Sequence, residues 1–382
     1  MTRSTGTYAI STTLGEAVRA FVPHPLPPTD PLLAPASFAD LNRQAELALA
    51  RLSGVSGLVP SVDWLLYSAV RKEALLTSQI EGTQATLTDL FDEEAGFKVG
   101  NTDDVAEVTN YLRAFRLVQE QLRDPKGLPI SARLLCEAHR LLLDGVRGAG
   151  KQPGELRHSQ NWIGGTRPGN AVFVPPPPER VSELLSNLER FVHEATGELP
   201  PLVRIALIHA QFETIHPFLD GNGRIGRLLI AALLEHWNLL AEPLMYLSGY
   251  LKQHQAEYYR RLSGIRTEGD WESWVSFFLE GVAAAAAQAE QSIIAVASLI
   301  AADRRKLLQS PKASPASYRL FELLPMMPRF TVERVRQRLD TTFPTANAAV
   351  KVLEALGVVV EVTGQKKNRS YSYEGYVELL TR

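Results

Sequence analysis

The chain has 382 residues, of which 45% are hydrophobic and 21% charged, and its formal net charge is -2. That is the composition of a globular protein able to bury its own core, and the balanced charge excludes an overall field toward nucleic acid or anionic lipid. Its one cysteine, Cys136, excludes an internal disulfide and, within the stretch LLCEAHRLLL, reads as a small core residue.

The first residues, MTRSTGTYAISTTLGEAVRAF, contain no continuous apolar run, so no signal peptide is expected. Residues 22–37 are rich in proline and read as an extended lead-in. Apolar residues then recur at helical spacing over 38–50 and 61–80, and Gly82 suits the stop of the second helix. Further amphipathic helices are expected over 102–123 and 131–144. The stretch 147–178 changes character, with Gly, Pro and Asn around two short β-prone pieces, 161–163 and 171–174, which reads as a β-hairpin in a long loop. Helices resume over 179–196, 202–215, 224–237, 253–263 and 270–308. The alanine run 283–287 meets Gln288, Glu290 and Gln291 too soon to span a membrane. No membrane partner is expected, and the expected compartment is the cytoplasm.

SPKASPAS, 310–317, reads as a linker. Beyond it come helical patterns at 318–324, 331–339 and 345–356, then VVVEVTGQKKNRSYSY, which alternates like a two-stranded hairpin with a basic tip. Three helices and a hairpin in this span match a winged helix-turn-helix. The fold class expected is therefore mainly α, with three regions: 1–110, 111–309 and 310–382.

The chemistry concentrates at HPFLDGNGRIGR. Leu202, Ile205, Ala206, His209, Phe212 and Ile215 share one helical face, and His209 on that face reads as a core histidine. His216 ends the helix, because Pro217 forbids its simple continuation. Asp220, Gly221, Asn222 and Gly223 form a loop, and Arg224 and Arg227 open the next helix as neighbours one turn apart. A glycine loop running into a helix N-terminus leaves backbone N–H groups free to bind an anion. Two arginines add charge-assisted contacts to phosphate oxygens. Asp220 suits Mg²⁺, which takes one or two carboxylates plus substrate phosphates. His216, with an ordinary pKa near neutrality, suits the removal of a proton from a hydroxyl. No GxxxxGK[ST] is present, so the loop is not a Walker A.

HPFLDGNGRIGR resembles the HxFx[DE]GNGRxxR signature of Fic-domain proteins at every fixed position, and the likeness extends over roughly residues 60–300. The resemblance implies a Fic-type helical core and transfer of AMP from ATP to a Ser, Thr or Tyr hydroxyl of a target protein, possible targets including the chain itself. It implies His216 as base and Asp220 as Mg²⁺ ligand. Gly221, Asn222, Gly223, Arg224, Ile225, Gly226 and Arg227 would form the phosphate-binding segment. Val172, Phe173 and Val174 would form a flap that docks the target by strand addition, and Tyr258 and Tyr259 would lie near the adenine.

Glu81 raises a separate point. A carboxylate in the last turn of a helix faces the negative end of the helix dipole, an unfavourable placement by about 0.3 to 1 kcal/mol. A tolerant surface or a cation from elsewhere in the fold would explain it. TSQIEG, with Thr77, Glu81 and Gly82, is similar to the family's inhibitory [ST]xxxE[GN] motif. By that resemblance Glu81 would pair with Arg227, deny it to the γ-phosphate and act as an internal brake.

The C-terminal 312–382 stretch holds eleven Lys or Arg against seven Asp or Glu. Arg329, Arg334, Arg336 and Arg338 cluster on one helix, and Lys366, Lys367 and Arg369 at the hairpin tip. This surface suits DNA, or a docking role in target recruitment or homodimer formation. A DNA-binding regulator with a nucleotide-sensing Fic core is the alternative reading.

Overall fold

The computed structural model describes residues 3–194, 199–365 and 369–381. It opens with a β-hairpin that the sequence reading did not anticipate. β1 (Gly6–Thr13) pairs antiparallel with β2 (Glu16–Pro23) through the two-residue turn Leu14–Gly15. Both turn residues have positive φ, 51° and 80°, as a tight hairpin turn requires.

Helices follow, and most lie where the periodicity places them. They are α1 (Ala39–Val55), α2 (Val62–Ile80), α3 (Leu87–Ala95), α4 (Thr102–Arg123) and α5 (Ala132–Leu142). Ser61 caps α2 by accepting from the Asp63 N–H, and Ser131 caps α5 the same way from Leu134. α3 was not expected; it is only nine residues long and held by a Thr86–Asp89 capping box. α4 runs unbroken across 110–111.

The long loop is less regular than the expected hairpin. Only Ile163 and Phe173 form a β-bridge, around the single turn Pro168–Asn170. Then come α6 (Pro178–His193), α7 (Pro201–Ile215) and α8 (Asn222–His236); the helix expected to reach 196 stops at 193, and 195–196 lie outside the described residues. α7 is buried almost all round, as a central helix must be, and α8 packs directly on it.

The helix expected over 253–263 is α10 (Gln255–Glu268), and an unexpected short helix, α9 (Leu247–Gln253), precedes it, the two meeting at His254. α11 (Trp271–Gln309) is long and apolar enough to cross a membrane by length and composition alone. Here its Trp271, Trp274, Phe277 and Phe278 are buried in the helical body, and the Trp274 indole donates to the Ala206 carbonyl at 2.8 Å.

The C-terminal part contains α12 (Pro315–Leu323), β3 (Arg329–Thr331), α13 (Val332–Leu339), α14 (Phe343–Ala355), β4 (Val360–Glu361), β5 (Ser370–Ser372) and α15 (Glu374–Thr381). β5 lies between β3 and β4 in an antiparallel sheet, one strand more than expected. Of the basic cluster, Arg329 pairs with Asp92 of α3 at 2.7 Å and Arg336 with Glu333 at 2.7 Å; Lys366 and Lys367 lie outside the described residues. One continuous core runs from Val22 to Leu380.

A candidate phosphate-binding active site

α7 ends where Pro217 forbids its continuation. His216 takes a left-handed conformation, φ 51°, while its N–H still bonds the Phe212 carbonyl at 2.9 Å. The carbonyls released at this end are gathered by Arg157, which is 1% exposed and donates to His216 O at 2.8 Å, Pro176 O at 2.6 Å and Ile215 O at 3.3 Å.

The loop after His216 is pinned from two sides. The Asn222 side chain accepts from the Phe218 N–H at 2.9 Å and donates to the Phe218 carbonyl at 2.7 Å. His139 of α5 stacks on Phe218 at 3.9 Å and bridges to the loop. The Gly154 N–H donates to its Nδ1, so the proton sits on Nε2, which donates to the Asp220 carbonyl at 2.9 Å. Gly221, φ 76°, precedes α8, whose first N–H groups have no acceptor within the helix and point into the loop.

Two arginines flank this N-terminus. Arg224 is 2% exposed; its Nη1 lies 3.6 Å from Glu107 and its Nη2 3.7 Å from Asp220. Its Nε and Nη1 have no hydrogen-bond partner among the described residues. Arg227 is fully engaged by α2. Its Nε donates to Thr77 Oγ1 at 2.6 Å, and its Nη2 to the Thr77 carbonyl at 3.1 Å and to Glu81 Oε1 at 2.6 Å. The Glu81 carboxylate also lies over the glycine loop: a Cβ at Gly223 would stand 2.3 Å from its Oε1.

Protonation follows from burial and neighbours. Burial would raise the Glu81 carboxyl, but Arg227, then Arg224 and His216, outweigh it and hold Glu81 below the ordinary range. His216 is pushed down to about 4, by burial first and the Arg157 charge second, so it is a neutral base at neutral pH. Its Nδ1 is buried and makes no well-formed hydrogen bond, with the Glu213 backbone near enough to raise the ring's pKa against the effect of burial. Burial raises Glu213 to about 7; its Oε1 is unpartnered among the described residues and packs against Gly226, where a Cβ would come within 2.3 Å of it.

The models that recognise this chain are those of the Fic/DOC family N-terminal region, over residues 39–120, and of the Fic/DOC family, over residues 129–234. The chain belongs to the Fic/DOC family. Curated relatives named protein adenylyltransferase Fic, from Drosophila grimshawi and Drosophila melanogaster, are each 32% identical over 157 residues, 40% of this chain and 29% and 28% of theirs. The chain thus matches under a third of the length of these relatives. A Fic family protein from Desulfovibrio desulfuricans G20 superposes with TM-score 0.57 at 20% identity, over 90% of this chain and 97% of that one. A Fic-domain-containing signaling protein from Bacteroides thetaiotaomicron gives 0.54 at 19% identity, over 67% and 97%. Fic-1 from C. elegans gives 0.51 at 23% identity, over 68% and 72%. These three likenesses establish the fold.

Within this Fic fold, Thr77, Glu81, Asp220, Gly223, Arg224 and Arg227 converge as the sequence suggested. The remaining candidates are differently placed. Ile225 is wholly buried in the core. Val172 is 80% exposed, Phe173 is buried, and the Val174 carbonyl accepts from the Phe21 N–H of β2 at 2.9 Å. Tyr258 is 1% exposed, and its hydroxyl lies 2.8 Å from His209 Nε2, whereas Tyr259 is 47% exposed. His209 is a core residue, as read; its Nδ1 faces the Gly226 carbonyl at 3.1 Å and burial lowers it to about 3. Glu107, His139, Arg157 and Glu213 were not found from sequence, because each matters through partners far away in the chain.

Proposed function

We propose that this protein is a self-inhibited protein adenylyltransferase, moving AMP from ATP to a Ser, Thr or Tyr hydroxyl of a target protein or of itself. The observation that carries the reading is the set of unsatisfied groups around one helix N-terminus: the free N–H groups of α8, the two unpartnered nitrogens of Arg224 and the Nδ1 of His216, which makes no well-formed hydrogen bond. The family-level name of the relatives supports it.

In this mechanism the neutral His216 ring takes the proton of the acceptor hydroxyl. The acceptor oxygen bonds to the α-phosphorus, and the bond from that phosphorus to the bridging oxygen of the β-phosphate breaks. Pyrophosphate departs with the electron pair, and its growing charge is met by Arg224, Arg227 and the N–H groups of the glycine loop. Among the described residues no three His, Cys, Asp or Glu side chains converge as a dedicated metal cage would need. Asp220 fits Mg²⁺ in the other manner: its Oδ1 is engaged by the Gly221 N–H at 2.6 Å and its side chain stays 38% exposed. It would hold Mg²⁺ together with substrate phosphates, and the ion would neutralise phosphate charge. The exposed Val172 would contact an acceptor segment lying along the flap. Glu81 would be the brake, since the guanidinium it holds is the one a γ-phosphate needs.

The test is self-modification with ATP labelled at either the α- or the γ-phosphate. Label from the α-position alone supports AMP transfer; label from neither, with nucleotide still bound, removes it. Reading the C-terminal part as a winged helix that binds DNA stays second, because Arg329 and Arg336 already have acidic partners.

A further inference from the structure

The hairpin β1–β2 does more than decorate the N-terminus. It roofs a cavity of about 340 Å³ whose other walls are the flap and α10. It is built into this position. The Phe21 N–H bonds the Val174 carbonyl at 2.9 Å, Glu16 pairs with Arg167 of the flap at 2.6 Å, and Val18, Ala20 and Val174 bury one another. Below the hairpin, Arg3 is tied to Glu272 and to the Gly269 carbonyl.

The cavity lining contains two arginines and no carboxylate. Arg266 of α10 sits over the Phe173 ring, its guanidinium carbon 3.9 Å from the ring centre, and Arg19 of β2 over the Tyr8 ring at 4.3 Å. Neither makes a hydrogen bond or ion pair to an acid among the described residues, and the acid that acts on Arg266 is Glu213, which is buried and does not line the cavity. Glu16, on the hairpin, is engaged by Arg167. Stacking on an aromatic ring leaves a guanidinium's in-plane N–H donors free, the arrangement that receives a carboxylate bidentately. No residue of the 216–227 loop lines the cavity, so an occupant there leaves the phosphate site open. The flap that walls the cavity is tied to the phosphate loop, since the Asn161 side chain donates to the Phe218 carbonyl at 3.1 Å and Ile163 pairs with Phe173, which sets the cavity beside the site rather than on a remote face.

We propose that this cavity reads an acidic side chain, Asp or Glu, lying within a few residues of the acceptor hydroxyl, with Arg19 and Arg266 as its ligands. An acceptor segment extended along the exposed Val172 edge of the flap turns alternate side chains toward opposite sides, so one of them enters the cavity. The occupant is peptide rather than nucleotide, because neither the 216–227 loop nor Tyr258 and Tyr259, the expected phosphate and base positions, lines the cavity. The inference rests on the adenylyltransferase reading of the neighbouring site.

The experiment uses the full chain carrying Glu81→Gly, α-labelled ATP, and a synthetic peptide library with one Ser, Thr or Tyr between randomised positions. The labelled peptides are expected to be enriched roughly tenfold in Asp or Glu at one fixed offset from the acceptor. In the added background of Arg19→Glu that preference should collapse or turn toward Lys and Arg, and Arg19→Lys should retain it. Labelled peptides without acidic enrichment, or an enrichment that Arg19→Glu leaves unchanged, would overturn the inference. So would self-labelling with no labelling of any peptide. Absence of all α-label, with ATP still bound, would instead remove the adenylyltransferase reading on which the inference stands.

Discussion

Replacing Glu81 by glycine should raise AMP transfer by about 10- to 30-fold. The magnitude comes from what ATP must displace. Glu81 Oε1 accepts from Arg227 Nη2 at 2.6 Å, a charge-assisted contact to a guanidinium only 2% exposed. Such bonds contribute about 1.5–3 kcal/mol. One third of the Glu81 side chain remains in solvent, 32%, so screening favours the lower half, about 1.5–2 kcal/mol. At about 1.4 kcal/mol per decade this is the stated range. The backbone tolerates the change, since Glu81 sits at φ -86°, ψ 4° at the end of α2, where glycine costs little. Initial rates of α-label transfer at ATP well below saturation, where the displacement is felt, are the assay, with Glu81→Ala included to separate loss of the carboxylate from gain of flexibility. Equal rates in wild type and in both variants, with all three folded, would refute the reasoning.

His216→Ala should abolish α-label transfer while leaving nucleotide binding within a few-fold, because the phosphate donors lie on α8 and not on the imidazole; retained transfer would remove His216 as base. Thr77→Val keeps the shape of a wholly buried side chain but takes the acceptor from Arg227 Nε, so the urea midpoint should fall in line with a loss of about 1–3 kcal/mol; an unchanged midpoint would show that the contact does not hold the arginine. Acid should weaken the fold. His139, His209 and His216 are lowered to about 4, 3 and 4 from 6.5, so they bind protons in the unfolded chain but not in the folded one between those values, and stability falls with falling pH there. Glu213, raised to about 7, works oppositely: its contribution is present at low pH and is lost as pH rises through about 7. Unfolding between pH 5 and 6 should therefore take up about two protons net, as the pH dependence of denaturant midpoints reads out; a net release would contradict the burial of these imidazoles.

What could be read in the sequence was whatever repeats or contrasts over a few residues. The long helices show as apolar periodicity, the junction as polar residues wedged between two apolar stretches, and Glu81 as a charge at the wrong helix end. The elements that escaped have short or weak local signals. α3 has only Leu87, Leu90 and Phe91 to bury. The N-terminal hairpin turns at Leu14–Gly15 with none of the usual Asn-Gly chemistry, and it is stabilised by residues more than 150 positions away, including Arg167 and Val174. The missed site residues share that cause. His139 acts on Asp220, Arg157 on the end of α7, and Glu107 on Arg224, across separations that no local pattern encodes. Tyr258 went the other way: the family resemblance set it near the adenine, and its ring packs in the core against His209 and Trp274.

The Glu81–Arg227 contact has a physical role besides the proposed brake, and it follows from the burial of Arg227. A guanidinium removed from water needs an anion, and a lone buried charge is strongly destabilising. Of the acids near Arg227 in the nucleotide-free protein, Glu81 bonds it, whereas burial keeps Glu213 largely protonated at pH values below about 7 and raises Glu73 as well. Glu81 is therefore the counter-ion of the resting state, and a γ-phosphate would be the counter-ion of the active one. The two compete because they satisfy the same need of the same group. On the proposed reading, inhibition and stability of the empty protein would share one contact, so a variant that removes Glu81 should also leave Arg227 without its counter-ion until nucleotide arrives. This explains how a carboxylate can persist at the unfavourable end of α2. Its cost against the helix dipole, about 0.3 to 1 kcal/mol, is smaller than the benefit of pairing with a buried arginine.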